Sequence, residues 1–284
     1  MKLLSFKIDG RTSFGAVVED KVVDLGRKFE GRFADLVDLL KANALAEAER
    51  AIVGSAGDYP LSNIEFLPVI PNPPKIICIG VNYETHRTEI GRDPSKMPMV
   101  FARFPSTQVG HLQPMTLPPE TPTFDYEGEI AVIIGKAGRR ISQENCWEYI
   151  AGYAPYNDGS IRDWQRHTAQ WTPGKNWYQT GAFGPWMTTR GEIADNQTLH
   201  LLTRLNGMEV QNADSTQMIF SIPFLIEYCS TFIPLEPGDV IVTGTPGGVG
   251  VRREPKLFMK DGDVVEVEIT EVGVLRNPIR AEVV

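Results

Sequence analysis

Carboxylates at alternate positions of one segment are the first candidates for chemistry in this sequence. Asp125, Glu127 and Glu129 are each separated by a single residue. Side chains alternate between the two faces of a strand, so a strand here would place all three carboxylates on one face. The five residues from Ile130 to Ile134 are all apolar, which is typical of a strand that enters a buried sheet. The carboxylates are then either exposed at the start of this strand or bound to a cation, because burial of unpaired carboxylates is costly.

A further carboxylate, Asp158, follows another predicted strand and stands beside Asn157. Carboxylates without cysteine or histidine nearby favour a hard divalent cation such as Mg²⁺ or Mn²⁺. Three protein ligands, Glu127, Glu129 and Asp158, would leave coordination positions for water and for a substrate that chelates through two oxygens. The alternative is that these acidic residues are exposed at a strand end and in a loop and bind no metal.

A histidine and a glutamate three positions apart form the second candidate group. His86 and Glu89 would lie on the same face of a helix, within reach of each other. A glutamate that orients a histidine can help it to act as a general base. The alternative is an exposed helix face that carries mixed polar residues.

Polar and cationic side chains follow Asp158 along the chain. Arg162, Gln165 and Lys175 could hold a carboxylate or carbonyl oxygen of an anionic substrate. They could equally be solvated groups or salt-bridge partners.

The glycine-rich segment at residues 243–250 comes directly after a predicted strand. It matches neither a phosphate-binding loop nor a dinucleotide fingerprint. Its backbone N–H groups could face an anionic oxygen, or the glycines could serve a tight turn that requires their φ values.

The composition excludes several classes of function. The chain has 284 residues, of which 42% are hydrophobic, and a formal net charge of 28 − 36 = −8, which argues against a nucleic-acid-binding face. The three cysteines lie far apart and form no Cys-x-x-Cys motif, so neither a disulfide framework nor a zinc site is indicated. Without an apolar signal segment or a membrane-length apolar run, we expect a cytoplasmic protein that binds no membrane.

Two regions are predicted along the chain. Residues 1–70 contain short strand patterns, a turn at Glu19-Asp20 and two amphipathic helix patterns, and form a small N-terminal α+β domain. A proline-rich linker at residues 68–74 precedes a β-rich domain at residues 75–284. Within that domain, the Asn206-Gly207 turn predicts a hairpin, and Asn82 is expected to cap the helix that carries His86.

Several segments together resemble the fumarylacetoacetate hydrolase family, and the resemblance covers roughly residues 75–284. The segments occur in the order typical of the family: Gly80-Val81-Asn82-Tyr83 with His86 and Glu89; Asp125-Tyr126-Glu127-Gly128-Glu129; Asn157-Asp158 with Ser160, Arg162, Asp163 and Gln165; Gly184-Pro185-Trp186; and Asn206-Gly207 through Leu235-Glu236-Pro237-Gly238-Asp239-Val240-Ile241-Val242-Thr243-Gly244-Thr245-Pro246. The sequence departs from the family pattern at Arg103, where lysine is common, and at residues 176–179.

The resemblance implies an α+β, β-rich fold in which mixed β-sheets roll around a metal site, usually in a homodimer. It implies that Mg²⁺ or Mn²⁺ is bound by Glu127, Glu129 and Asp158. It also implies that His86 and Glu89 lie on a lid and together activate a water molecule. By the same resemblance, Arg162, Gln165, Lys175 and Thr245 contact the substrate.

The reaction that we expect from this resemblance is hydrolysis of a carbon–carbon bond in a small, anionic 2,4-dioxo acid. His86 and Glu89 would deprotonate the attacking water, and Lys175 would help to stabilise the resulting enolate. The alternatives are decarboxylation, isomerisation or dehydration of a 2-oxo acid at the same metal site. A non-catalytic metabolite-binding protein on the same scaffold is the alternative from another class.

Overall fold

The computed structural model describes residues 1–283; residue 284, the last of the predicted β-rich domain, lies outside them. The protein is a strand-rich α+β protein, as its sequence predicts. Its strands β1 to β20 are Lys2–Ile8, Arg11–Val18, Lys21–Asp24, Tyr59–Pro60, Glu65–Phe66, Ile76–Gly80, Met99–Arg103, Gln108–Val109, Met115–Leu117, Phe124–Asp125, Gly128–Ile134, Ile150–Asn157, Ser160–Ile161, Gly181–Phe183, Met187–Thr189, His200–Leu205, Met208–Asp214, Val240–Val242, Val264–Ile269 and Gly273–Ala281. Its α-helices α1 to α6 are Leu25–Lys28, Leu36–Lys41, Leu45–Ile52, Glu84–Glu89, Thr172–Lys175 and Ile222–Phe232.

A mixed sheet of 13 strands forms the frame of the molecule. Its main path runs β4-β3-β2-β1-β15-β12-β11-β18-β6-β7, and β5, β8 and β14 pair beside this path. The central strand β11 is buried at every position and runs antiparallel to both of its neighbours, β12 and β18. Because β18 and β6 are parallel, the carboxyl ends of β6, β12 and β18 lie at one edge, beside the start of β11. The loops that begin at this edge carry the candidate functional residues.

A second sheet packs near the same edge. It has five strands in the order β17-β16-β19-β20-β9, and a two-stranded ribbon joins β10 to β13. Strands β16 and β19 alternate buried and half-buried residues, as expected for strands with one face toward the core. On that face, Leu205, Val265 and Val267 belong to one apolar cluster with Met115, Phe124 and Tyr126.

The N-terminal strands continue the large sheet. Lys2 and Leu3 of β1 pair with Thr188 and Met187 of β15, and one apolar cluster contains Phe14 and Leu36 together with Ile133. The predicted division between residues 70 and 75 therefore lies within a continuous sheet and core, and stays a prediction about chain organisation.

Local turn signals in the sequence are confirmed. The turn at Glu19-Asp20 joins β2 to β3, with Val18 opposite Lys21, and the Asn206-Gly207 turn joins β16 to β17.

All three cysteines are free and buried. Within residues 1–283, no helix has the length and apolarity needed to cross a bilayer.

Two local predictions are wrong. Asn82 does not cap α4, whose N-cap residue is Tyr83 and lacks a side-chain cap hydrogen bond. The Asn82 side chain instead donates to the carbonyls of Phe220 and Thr243 and accepts from the N–H of Phe220. The strand predicted through the three alternating carboxylates is interrupted at residues 126–127, because β10 pairs with β13 whereas β11 pairs with β12.

Candidate functional site

Three buried carboxylates from neighbouring strand ends form the centre of the candidate site. Glu127 immediately precedes β11, Glu129 is the second residue of that strand, and Asp158 follows the end of β12. The antiparallel register pairs Gly128 with Asn157, which brings Asp158 beside Glu127; the N–H of Asp158 donates to the carbonyl of Glu127 at 2.8 Å. One carboxylate oxygen from each of the three residues lies within 4.8 Å of the others.

Two of these carboxylates are paired with buried cations. The ammonium of Lys175 lies 2.6 Å from both Glu127 Oε2 and Asp158 Oδ2, and Arg103 Nη1 lies 2.5 Å from Asp158 Oδ1. Arg162 Nη2 lies 2.7 Å from Glu127 Oε1. Burial alone would raise the pKa of Glu127, but Arg162, Lys175 and His86 outweigh it and hold that pKa at about 2. Glu127 is therefore an anion throughout the physiological range.

The third carboxylate, Glu129, has a different environment. Its Oε2 accepts a 2.5 Å hydrogen bond from the N–H of Gly244, but within residues 1–283 it has no ion-pair partner. Burial, followed by the charges of Asp158 and Glu127, raises the pKa of Glu129 well above its usual range. A divalent cation among the three carboxylates would relieve this repulsion, and carboxylate oxygens are the ligands that Mg²⁺ and Mn²⁺ prefer. The residues present therefore fit a divalent-metal site.

A cavity of about 140 Å³ opens onto the three carboxylates. Eight of the nine predicted site residues line it: His86, Glu127, Glu129, Asp158, Arg162, Gln165, Lys175 and Thr245. Glu89 is the exception, since it lies behind His86. The cavity is much smaller than the ~300–1,000 Å³ typical of pockets for drug-sized ligands. It therefore suits a substrate with few non-hydrogen atoms.

His86 and Glu89 form a hydrogen-bonded pair at the cavity wall. His86 Nδ1 lies 3.1 Å from Glu89 Oε2, and His86 is buried. With Glu89 as the acceptor, Nδ1 carries the ring hydrogen, and Nε2 keeps a lone pair that can accept a proton. The pair predicted from the sequence thus has the arrangement of an oriented general base.

The glycine-rich segment presents backbone donors to the protein's own carboxylates. The N–H groups of Gly244, Gly248 and Gly250 donate to Glu129, Glu89 and Asp125, respectively, at 2.5, 3.0 and 2.8 Å. One loop therefore positions a candidate metal ligand and the partner of the candidate base. The sequence left open whether these N–H groups face an anion or the glycines serve a turn. The structure shows both: the N–H groups donate to carboxylates, and φ is +100° at Gly244 and +105° at Gly248, values that favour glycine.

Substitution of Gly248 by alanine is expected to destabilise the protein by about 2–4 kcal/mol. A Cβ at this position would lie 2.1 Å from the carbonyl oxygen of Val210, and the φ of +105° is unfavourable for alanine. Gly207→Ala is the matched control, because Gly207 also has a positive φ of +79° but open space around it. Its expected cost is about 1 kcal/mol. Urea unfolding of both variants measures the difference, and equal costs would contradict the proposed clash.

Several of the predicted substrate-binding side chains form hydrogen bonds within the protein. Arg162 Nε donates to Asp125 Oδ2 at 2.8 Å, and its Nη1 donates to Gln165 Oε1 at 3.1 Å. The hydroxyl of Thr245 donates to the carbonyl of Gly128 at 2.9 Å. These contacts hold the cavity wall in place.

Three further residues position the site through contacts that were not predicted from the sequence. Arg103 is buried and also donates to the carbonyl of Gly159 at 2.9 Å, so it holds the loop of Asp158 in place. Asp125 accepts from Arg162 and from the N–H groups of Gly250 and Val251. Asn82 ties the chain that enters α4 to the end of β18 through the carbonyl of Thr243. The sequence had marked Arg103 as a departure from the family pattern, Asp125 as one of three alternating carboxylates and Asn82 as a helix cap, but it gave no signal of these contacts.

The strand-rich α+β fold carries a buried carboxylate cluster that could hold a divalent cation. Comparison with known families agrees: the model described as "Fumarylacetoacetate (FAA) hydrolase C-terminal" matches residues 75–280. The chain belongs to the fumarylacetoacetate hydrolase family.

Relatives and a solved structure refine this assignment. An oxaloacetate tautomerase of Xenopus laevis, described as mitochondrial, is 41% identical over 239 residues, which cover 84% of this chain and 75% of the relative. An oxaloacetate tautomerase of Bacillus subtilis (strain 168) is 36% identical over 300 residues, which cover 98% of this chain and all of the relative. The crystal structure of maleylpyruvate hydrolase from Sphingobium sp. SYK-6, in complex with manganese(II) and pyruvate, has a TM-score of 0.83 at 27% identity and full coverage of both chains.

Proposed function

We propose that this protein is a divalent-metal-dependent tautomerase that interconverts the keto and enol forms of a small 2-oxo acid, with oxaloacetate as the first substrate to test. The observation that carries the proposal is the His86–Glu89 pair: His86 is hydrogen-bonded to Glu89 and lines the same small cavity as three buried carboxylates. The two tautomerases described above, at 41% and 36% identity, support the choice of reaction. This reaction replaces the hydrolysis expected from the sequence as the leading candidate.

The proposed reaction needs one base that can also act as an acid. His86 Nε2 removes a proton from C3 of the keto form, and the electron pair of the C3–H bond becomes the C2–C3 double bond. The pair of the C2–O double bond moves to the oxygen, which receives the proton from His86. Glu89 stabilises the imidazolium that exists between the two transfers, and the N–H of Gly248 keeps Glu89 in place.

The cation would be held by Glu127, Glu129 and Asp158, and when bound it supplies Lewis-acid stabilisation of negative charge on the substrate. Lys175 bridges two of these carboxylates and also lines the cavity. Its ammonium can donate hydrogen bonds to an anionic substrate oxygen that enters beside it. Lys175 therefore acts in the proposal as a substrate-binding group, in accordance with its predicted role.

Hydrolytic cleavage of a 2,4-dioxo acid is the second candidate. The same His86–Glu89 pair could deprotonate a water molecule, which would attack the distal carbonyl and break the bond between C3 and C4. The similar structure named maleylpyruvate hydrolase supports keeping this reaction in consideration.

Analysis of products separates the two candidates. Enol-oxaloacetate and a series of acylpyruvates are incubated with the protein and Mg²⁺ or Mn²⁺, and the products are identified by mass spectrometry. A tautomerase accelerates loss of the ultraviolet absorbance of the enol and leaves the mass of the substrate unchanged. Formation of pyruvate and a carboxylic acid from an acylpyruvate would instead assign the hydrolase reaction.

We further propose that the protein forms a homodimer through an apolar surface made by β7 and α6. Strand β7 is an edge of the large sheet, and its residues Met99 and Val100 are exposed. An adjoining groove of about 440 Å³ is lined mainly by apolar groups, including Phe104 and Phe232, which are 52% and 55% exposed. Exposed apolar edge strands favour pairing with another chain. A second copy related by a twofold axis would cover both edges at once.

Val100→Lys is expected to convert the dimer into a folded monomer, because a charge would be buried against its symmetry-related copy. Val274→Lys is the matched control: Val274 is 38% exposed, close to the 37% of Val100, but belongs to the second sheet. Light scattering coupled to size-exclusion chromatography reports the mass of each. A monomeric wild type, or a dimeric Val100→Lys variant, would contradict the proposed interface.

A further inference from the structure

Two of the carboxylates in the cavity, Glu127 and Asp158, are paired with buried cations. Glu127 contacts Arg162 and Lys175, and Asp158 contacts Arg103 and Lys175. These cations are therefore engaged by the protein's own carboxylates.

Three further guanidinium groups line the same cavity without such pairing. Within residues 1–283, Arg92, Arg166 and Arg252 form no ion pair within 4.0 Å of a carboxylate. Arg252 Nη2 donates only to the carbonyl of Ile90, at 3.2 Å, and the guanidinium of Arg92 lies 5.5 Å from the centre of a Trp171 ring. All three arginines are exposed, so their side chains are free to move toward a ligand.

The three arginines come from separate parts of the chain. Arg92 follows α4, Arg166 ends the 3-10 helix Trp164–Arg166, and Arg252 ends the 3-10 helix Gly250–Arg252. The whole chain carries a net charge of −8, so a surplus of positive charge at one cavity is contrary to its composition. All three line one cavity, and an anion bound among them would offset the repulsion between their like charges.

We propose that Arg92, Arg166 and Arg252 bind the second carboxylate of a dicarboxylic 2-oxo acid, at the end of the substrate farther from Glu127, Glu129 and Asp158. The guanidinium fork suits a carboxylate because it can donate two parallel hydrogen bonds. The inference rests on the proposed function for the nature of the substrate, and it adds the residues that select dicarboxylates over monocarboxylates. The small cavity requires both ends of the ligand to be short.

Binding of a ligand that cannot react tests this selection separately from turnover. The probes are 3,3-difluoro-oxaloacetate, which has no proton at C3 to transfer, and its 4-methyl ester, which lacks the distal charge and carries one additional methyl group. Their dissociation constants with the Mg²⁺-loaded protein are measured by isothermal titration calorimetry. The wild type is expected to bind the diacid at least tenfold more tightly than the ester.

Arg252→Gln is expected to weaken binding of the diacid by about ten- to a hundredfold, because a charge-assisted hydrogen bond is lost. Binding of the ester should change less than about twofold, so the preference for the diacid falls. Arg166→Gln tests a second arginine in the same way, and Arg139→Gln, an exposed arginine outside the cavity, should change neither constant.

Equal binding of diacid and ester by the wild type would overturn the inference. An equal loss for both probes in Arg252→Gln would also overturn it, because it would indicate a general disturbance of the cavity. Absence of tautomerase activity together with preserved selectivity for the diacid would refute the proposed reaction and support the carboxylate site.

Discussion

Glu129→Gln is expected to abolish binding of Mg²⁺ or Mn²⁺ without destabilising the metal-free protein. Glu129 lies within a cluster of three buried carboxylates and has no cationic partner within residues 1–283, so a neutral amide removes repulsion when no ion is bound. The amide that replaces the carboxylate keeps a carbonyl oxygen that can accept from the N–H of Gly244. The metal site, however, loses one of three anionic ligands.

Thermal or urea unfolding with and without Mn²⁺ measures this effect. At an ion concentration of ~100 times the dissociation constant, the wild type should gain about 2.7 kcal/mol in its free energy of unfolding, and the variant almost none. The activity of the Glu129→Gln variant should fall by about 10³-fold or more. Glu65→Gln, which changes an exposed glutamate in β5, is the control. An unchanged Mn²⁺-induced gain in Glu129→Gln would contradict the assigned metal site.

His86→Ala is expected to lower kcat/KM by about 10²–10⁴-fold while Mn²⁺ binding is retained. The imidazole lines the cavity and is hydrogen-bonded to Glu89, whereas the proposed metal ligands are Glu127, Glu129 and Asp158. Initial rates and Mn²⁺ titration by calorimetry give the two quantities on the same preparation.

Two further variants separate the role of His86 from that of its partner Glu89 and from that of an unrelated histidine. Glu89→Gln keeps one acceptor oxygen for His86 Nδ1 but removes both the charge that stabilises the imidazolium and the second acceptor, which binds the N–H of Gly248. Its loss of activity should still be smaller than that of His86→Ala, because the imidazole remains. His200→Ala replaces a partly exposed histidine of β16 that pairs with Asp214 at 2.8 Å, and should leave activity unchanged. Loss of Mn²⁺ binding in His86→Ala would refute its role as the acid–base group.

Local patterns in the sequence were sufficient for much of the fold. The Asn206-Gly207 turn and the alternation of Val265, Val267 and Ile269 specify their hairpin and strand through short-range geometry. The two-residue spacing of Glu127 and Glu129 indicated their shared site, although only Glu129 lies within β11.

Contacts between distant parts of the chain could not be predicted in this way. Asn82 was expected to cap a helix, but it is drawn into hydrogen bonds with Phe220 and Thr243, which only the tertiary fold brings near. The donors of the glycine-rich loop meet Glu89 and Glu129 only because β18 packs between β6 and β11. The local sequence carries no signal of those partners.

The rate of enol-to-keto conversion of oxaloacetate, measured before and after removal of metal, tests the central proposal most directly. Loss of the ultraviolet absorbance of the enol is followed with the protein as purified, after chelation and gel filtration, and after reloading with Mn²⁺. Buffer with the same free Mn²⁺ and no protein gives the background rate. We predict acceleration that chelation abolishes and reloading restores, with substrate mass unchanged. A protein-dependent acceleration that survives complete metal removal, or no acceleration in any state, would contradict the account.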